Sequence, residues 1–184
     1  MFRFLIILVV LNFSNPVFSS TKEKIISQMQ LTNNLSFNFI QTIDHKNENG
    51  KCIIKYPKKI WCEYDNSNKK IIVSNGRSLV IKNSNKGNYY IYHLNKTPLE
   101  YLLDKKYLIS KMKILEPREI DGKYLNFKFF ENNNEVNIFF DKKSLNLVGW
   151  QTEDIYQNLA VTFISSVKTN QKINNKIFIL PKNN

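Results

Sequence analysis

The chain has 184 residues, of which 42% are hydrophobic and 13% aromatic, and it carries a formal net charge of +12. This length suits one domain with a substantial core, and the small number of glycines and prolines excludes collagen-like and linker-rich chains. The lysines lie in short scattered clusters, without a basic helix or an RNA-binding motif, so we expect no nucleic-acid partner. Three explanations of the positive charge remain: lysines in solvated turns, attraction to an anionic lipid surface, and attraction to an acidic partner.

The N-terminus has the pattern of a secretory signal peptide. Arg3 precedes an unbroken apolar run at residues 5–11, and compact residues follow up to Ser19. The run is too short to span the ~30 Å hydrocarbon core of a membrane. We therefore predict that residues 1–19 are removed on export and that residues 20–184 form one soluble domain.

The rest of the chain is predicted to be mainly β-structure. Residues 21–33 have the pattern of an amphipathic helix, and from Leu35 apolar and polar residues alternate as in a half-buried strand. Asn75-Gly76 predicts a hairpin. Further strands are expected at 50–56, 60–65, 69–74, 77–82, 88–94, 111–116, 122–130, 135–140, 145–152, 155–167 and 176–180. So many short strands predict one large, curled antiparallel sheet.

A second, short helix is predicted between the strands, at residues 97–104. Thr97 is a natural N-cap, Pro98 suits the first helical position, and Glu100 would complete a capping box. Leu99, Leu102 and Leu103 would form one apolar stripe on this helix.

The two cysteines, Cys52 and Cys62, flank a predicted turn at Tyr56-Pro57-Lys58. A three-residue loop would place them directly opposite each other and permit a disulfide, whereas a four-residue loop would send them to opposite faces. Without a disulfide, both would be small buried apolar residues. The sequence leaves both registers open.

A large curled sheet either fills its interior with side chains or holds a ligand, and the pattern alone permits both. We find no nucleophile elbow, no H-E-x-x-H motif and no readable pair of carboxylates. The two histidines, His45 and His93, lack metal-ligand spacing. We therefore predict a protein that is not an enzyme and that has no metal site or cofactor.

Several short motifs occur in the order and spacing of one known family: Phe39-Ile40-Gln41; Gly50, followed by Tyr56-Pro57 and residues 60–64; residues 72–76; Thr97-Pro98-Leu99 with Leu102-Leu103; residues 147–150 with Asp154; and residues 178–181. Together they resemble the LolA family of periplasmic outer-membrane lipoprotein carriers. The resemblance extends from about residue 21 to residue 181.

The resemblance implies a mainly β fold, a single unclosed antiparallel barrel of about ten or eleven strands with a short helical lid. It also implies a monomeric periplasmic chaperone that binds the acyl chains of lipoproteins. An ATP-driven inner-membrane complex would release the cargo to this carrier, and an outer-membrane acceptor would receive it. Another exported lipid-binding or glycan-binding sheet-cleft protein is the alternative.

The resemblance also indicates site residues. The expected lid residues are Leu99, Leu102 and Leu103, with Tyr56 as a lid contact at the position where well-known members have an arginine that holds the lid. The expected cleft-wall residues, for each of which simple core packing is the alternative, are Phe37, Phe39, Ile54, Ile72, Leu79, Phe127 and Ile138.

Overall fold

The computed structural model describes residues 20–66, 69–132, 134–154 and 156–183. The predicted signal peptide, residues 1–19, lies outside them. Within the described residues, eleven antiparallel strands form one sheet, and three α-helices lie against it. No helix in this part of the chain is both long and apolar enough to cross a membrane.

The elements follow one another in a simple order. The helices are α1 (Thr21–Leu31), α2 (Leu99–Leu103) and α3 (Lys105–Ile114). The strands are β1 (Asn34–Ile43), β2 (Lys46–Lys55), β3 (Lys59–Tyr64), β4 (Lys70–Asn75), β5 (Ser78–Asn83), β6 (Asn88–His93), β7 (Arg118–Ile120), β8 (Tyr124–Glu131), β9 (Asn134–Asp141), β10 (Leu147–Glu153) and β11 (Leu159–Thr169).

The strand order is β6-β5-β4-β3-β2-β1-β11-β10-β9-β8-β7. Pairing of β1 with β11 joins the N-terminal and C-terminal halves of the chain at the centre of the sheet. Strands β6 and β7 are its two edges, so the described sheet curls without closing. The predicted fold class, an unclosed antiparallel barrel with few helices, is confirmed.

Strict alternation of side chains gives the sheet one apolar inner face. In β1, Leu35, Phe37 and Phe39 are buried, whereas Asn38 between them is exposed. A one-residue shift in register would exchange the two faces. Because the inner residues are large and apolar, burial of this face fixes the register of the strand.

Helices α1 and α3 fill one half of the curled sheet. Helix α1 begins at a capping box, in which Ser20 and Glu23 each accept a hydrogen bond from the other's backbone N–H. It buries Ile25, Ile26 and Met29, as the amphipathic pattern predicts. Helix α3 buries Leu108 and Met112 in the same core cluster.

Two of the predicted strands are wrong. Residues 111–116 include the end of α3, because Leu108 and Met112 stand four residues apart and Asp104 caps the helix by accepting from the N–H of Tyr107. Residues 176–180 do not form a strand either: Asn175–Phe178 is a 3₁₀ helix that packs on the outer face of β3 and β4. Phe178 is buried there, which explains its apolar side chain.

The hairpin that joins β2 and β3 has a three-residue loop, residues 56–58, and Cys52 therefore lies directly opposite Cys62. The structure joins them in a disulfide with Cα atoms 4.1 Å apart. Both cysteines lie on the inner face of the sheet, where they also line the cleft described below.

Removal of this disulfide is expected to lower the free energy of unfolding by about 3 kcal/mol, because the bond closes a loop of roughly ten residues in the unfolded chain. The measurement is guanidinium unfolding of the oxidised protein and of the Cys52→Ala/Cys62→Ala variant. A reductant should lower the midpoint of the wild type and leave that of the variant unchanged. Identical midpoints for oxidised and reduced wild type would contradict this expectation.

Candidate functional site

The half of the sheet that the helices leave open forms a cleft of about 360 Å³. That volume lies within the ~300–1,000 Å³ range of small-molecule sites. Strands β1 to β6 supply one wall, β10 and β11 supply the other, and the start of α2 lies at one end. The interior is therefore not packed solid.

The floor of the cleft is apolar because inward positions of neighbouring strands carry apolar side chains at the same level. Ile72 pairs with Ile81 on β5 and with Cys62 on β3, and Cys62 in turn pairs with Cys52. This row of aliphatic and disulfide surface has no strong hydrogen-bonding group. It can therefore accept a hydrocarbon ligand without leaving a polar group unsatisfied.

Trp150 forms much of the opposite wall. Its ring meets Phe37 edge-on at 5.9 Å between centroids, which is a favourable aromatic geometry. Thr162 lies beside it on β11 and also lines the cleft. Trp150 also lines the second, smaller cavity, so its indole lies between the open cleft and the packed half of the core.

Helix α2 meets the cleft through Thr97, Pro98 and Leu99. The predicted capping box is wrong here. The Thr97 hydroxyl donates to the carbonyl of Leu94 at 2.8 Å, Pro98 holds the N-cap position, and Glu100 is engaged elsewhere. The N–H of Glu100 donates to the Thr97 carbonyl at 3.2 Å and not to the Thr97 hydroxyl, so the local sequence signal does not decide the cap.

The β2–β3 hairpin holds α2 through Lys58. The Lys58 ammonium lies 2.8 Å from Glu100 and 3.2 Å from Asp104, at the two ends of α2. The backbone N–H of Lys58 also donates to the carbonyl of Leu103 at 2.9 Å. The hydrogen bond to Glu100 raises the pKa of Lys58 above its ordinary value. We call this set of contacts the Lys58 clamp.

Tyr56 contacts the helices through its ring. Its N–H donates to the carbonyl of Asn33, and the side chain packs on the core and lines a small second cavity with Leu102. Burial raises the pKa of the Tyr56 phenol. The ammonium of Lys105, at the start of α3, lies 5.6 Å from the ring centroid. At this hairpin, the ionic contact with α2 thus comes from Lys58 rather than from residue 56.

The predicted site residues fall into three groups. Phe39, Ile72, Leu79 and Leu99 line the main cleft. Ile54, Ile138, Leu102 and Tyr56 line the second cavity, which α1 and α3 also border. Phe37, Phe127 and Leu103 line neither of these cavities and lie in the packed core.

Several residues that line the cleft were not predicted as site residues, among them Ile60, Ile81 and Trp150. Ile81 is two residues from the predicted wall residue Leu79 on β5 and therefore shares its face, and Ile60 pairs with the predicted wall residue Ile54 on β2. Pairing of β10 with β11, which no local pattern encodes, decides that Trp150 faces the same space.

Replacing Lys58 by methionine is expected to increase opening of α2 about fivefold, since partly exposed ion pairs contribute on the order of 1 kcal/mol together. Amide hydrogen exchange of α2 at neutral pH measures the change. Lys59→Met on the outer face of β3 is the matched control and should leave exchange unchanged. Equal exchange rates of the α2 amides in the wild type, Lys58→Met and Lys59→Met would show that the Lys58 clamp does not hold α2.

The same clamp has a defined pH dependence. The folded-state pKa of Lys58 is raised above its ordinary value of 10.5. The contribution of the Lys58 charge to stability is therefore fully present below pH 10.5. The contribution is lost only as the pH rises through the raised value. Ionisation of Lys58 therefore does not open α2 near neutral pH.

Comparison with known proteins gives a consistent result. The family model described as "Outer membrane lipoprotein carrier protein LolA" matches residues 30–180. A search of curated proteins gave no match. Three similar solved structures are an uncharacterized conserved protein from Thermus thermophilus, the LolA superfamily protein NE2245 from Nitrosomonas europaea, and a putative outer membrane lipoprotein-sorting protein domain from Vibrio parahaemolyticus.

The structural matches cover most of each chain at low sequence identity. The Thermus protein is 6% identical, with 89% of this chain and 96% of that chain covered and a TM-score of 0.52, so it supports the fold alone. The Nitrosomonas protein is 11% identical, with 88% of this chain and 99% of that chain covered and a TM-score of 0.49. The Vibrio domain is 6% identical, with 85% of this chain and 95% of that chain covered and a TM-score of 0.47. Because the family model spans most of the sequence, the chain belongs to the LolA family of outer membrane lipoprotein carrier proteins.

Proposed function

We propose that this protein is a periplasmic carrier that shelters the acyl chains of lipoproteins between the inner and the outer membrane. The cleft of about 360 Å³ carries this proposal. It is open, its floor is aliphatic, and the start of a short helix lies at one end. A hydrocarbon chain is the ligand that such a surface binds with the least loss of hydrogen bonding.

The energetics suit reversible binding. Each methylene that leaves water contributes about 0.8 kcal/mol, so roughly a dozen sheltered methylenes would contribute ~10 kcal/mol. Association costs about 4–15 kcal/mol in lost translational and rotational freedom, which offsets much of that gain. Opening of α2 against the Lys58 clamp would reduce the affinity further. A carrier needs this balance because it must release its cargo.

Export to the periplasm is supported by the signal-peptide pattern of residues 1–19 and by the disulfide between Cys52 and Cys62. Disulfides persist in oxidising compartments such as the bacterial periplasm. The proposed partners are an ATP-driven release complex of the inner membrane and an acceptor at the outer membrane. We propose that the carrier acts as a monomer and without enzymatic activity.

A release assay tests the proposal. The mature protein, residues 20–184, is incubated with membranes that contain a radiolabelled lipoprotein and the release complex, with and without ATP. The expected result is an ATP-dependent, soluble one-to-one complex of carrier and lipoprotein. Label that remains in the membrane fraction would overturn the proposal. If the protein nevertheless bound free acyl lipids, it would be another kind of exported lipid-binding protein.

A further inference from the structure

A row of polar side chains crosses the cleft at the end away from α2. Asn88 on β6 pairs with Asn83 on β5, and Asn83 pairs with Lys70 on β4; all three line the cleft. The ammonium of Lys70 lies 3.7 Å from the centre of the Tyr64 ring on β3. Polar groups therefore follow one another across four strands at one level.

Hydrogen bonds continue this row to the far wall. The Tyr64 hydroxyl donates to the Gln41 Oε1 atom at 3.0 Å, and the Gln41 Nε2 atom donates to the Thr162 hydroxyl at 3.0 Å. We call the whole row the polar belt; its members are Gln41, Tyr64, Lys70, Asn83, Asn88 and Thr162. One level nearer to α2, the inward positions on β3, β4 and β5 are occupied by Cys62, Ile72 and Ile81.

Asn83 is the incomplete member of the belt. Its Oδ1 atom is buried and has no hydrogen-bond partner among the described residues. An unsatisfied buried acceptor costs about 1–3 kcal/mol and is uncommon in folded proteins. Asn83 itself lines the cleft, so a rotation of its side chain that turned Oδ1 towards the open space would let a ligand hydroxyl or amide N–H satisfy this acceptor.

The charged side chains that line the cleft disfavour an anionic ligand. Lys70 is paired with Glu48, and the other charged side chains that line the described cleft are Glu153 and Asp154. The local balance is therefore negative, although the whole chain carries +12. A phosphate or a free carboxylate in the cleft would meet the like charge of Glu153 and Asp154, and Lys70, the one lysine of the described lining, is already paired with Glu48.

We propose that the polar belt binds the uncharged glyceryl-ester end of an acyl lipid, whose hydrocarbon chain runs along the apolar floor towards Leu99. A hydroxyl or amide N–H of the head group donates to Asn83, and the ester carbonyl accepts from the amides or the ammonium of the belt. This inference rests on the proposed function and adds to it a ligand orientation and a selection by head-group charge. Free fatty acids and phospholipids, which carry a negative charge at this end, are the lipids that the cleft binds more weakly.

The test compares two lipids that differ only by a phosphate, 1-monooleoylglycerol and 1-oleoyl-glycerol-3-phosphate. Binding to the mature protein is measured by tryptophan emission in the Trp61→Phe background, where Trp150 in the cleft wall is the remaining tryptophan. The wild-type cleft should bind the uncharged lipid about tenfold more tightly, as expected for one like-charge contact near a protein surface. Equal or reversed affinities would overturn the inference.

Two variants test the residues themselves. Asn83→Leu should weaken binding of 1-monooleoylglycerol about fivefold, which corresponds to one hydrogen bond. The matched control Asn38→Leu, on the exposed face of β1, should leave the affinity unchanged. Glu153→Gln should strengthen binding of the phosphate lipid about threefold and so reduce the preference of the cleft for 1-monooleoylglycerol. Thermal unfolding verifies that each variant is folded.

The outcomes separate this inference from the proposed function. If neither lipid bound to the wild type, both would fail. If both lipids bound equally and Asn83→Leu changed nothing, the cleft would still bind acyl chains, and only the role of the polar belt would be wrong.

Discussion

Replacing Leu99 by glutamate is expected to abolish acyl-lipid binding, with a loss of affinity of at least about 100-fold. Leu99 lies at the end of the cleft where α2 meets the aliphatic floor. A carboxylate there would have to leave water when a hydrocarbon chain enters, and the neighbouring floor offers it no hydrogen-bond donor. Retention of radiolabelled 1-monooleoylglycerol during gel filtration measures the loss.

Ile114→Glu provides the matched control for this change. Ile114 ends α3 and is 78% exposed, so the same change of charge occurs there outside the cleft. Lipid retention should equal that of the wild type. If Leu99→Glu remained folded and retained the lipid as well, the assignment of the cleft as the binding site would be wrong.

The second large effect is expected at Gly50, on the inner face of β2. A Cβ atom at this position would lie 2.1 Å from the carbonyl oxygen of Glu63 and 2.9 Å from the Cα atom of Tyr64. Both neighbours are backbone atoms of β3 and cannot move without breaking the β2–β3 pairing. Gly50→Ala should therefore lower the free energy of unfolding by about 3 kcal/mol or more, measured by guanidinium unfolding.

Gly87→Ala is the control for loss of a glycine. Apart from the glycine and its two chain neighbours, no atom of the described residues lies within 4 Å of a Cβ placed there, but its φ of +66° makes alanine unfavourable. The expected cost is about 1 kcal/mol. If Gly50→Ala cost no more than Gly87→Ala, the close approach of β2 and β3 would not be a determinant of stability.

The strands could be predicted from sequence because burial of one face imposes a period of two. Phe37 and Phe39 alternate with polar residues, and the Asn75-Gly76 turn marks the β4–β5 hairpin that the structure contains. The pattern failed at residues 111–116, where Met112 and Ile114 alternate with lysines as in a strand. Packing of Met112 and Leu108 on the sheet, a tertiary contact, makes this segment a helix.

The site was less predictable than the fold. A strand pattern shows that Phe39, Ile72 and Phe127 point inward, but it does not show which part of the interior each one faces. Helices α1 and α3 decide this, because they fill the space next to Phe127 and leave the space next to Phe39 and Ile72 open. Their position depends on contacts between residues far apart in the sequence.

The contact between the hairpin and α2 illustrates the same limit. The resemblance indicated residue 56 as the lid contact, and that position carries Tyr56. In the structure, Lys58, two residues further along the same loop, reaches both Glu100 and Asp104. The one-dimensional motif preserves the position of the loop but not the identity of the residue that makes the ionic contact.

The two tryptophans provide the most direct test of where the ligand binds. Trp150 faces the cleft, whereas Trp61 lies on the outer face of β3 beneath the ammonium of Lys51. A monoacylglycerol with a brominated acyl chain quenches only tryptophans that it touches. It should quench the emission of Trp61→Phe, which retains Trp150, and should leave Trp150→Phe unquenched. Equal quenching of the two variants, or quenching of Trp150→Phe alone, would contradict binding inside the sheet.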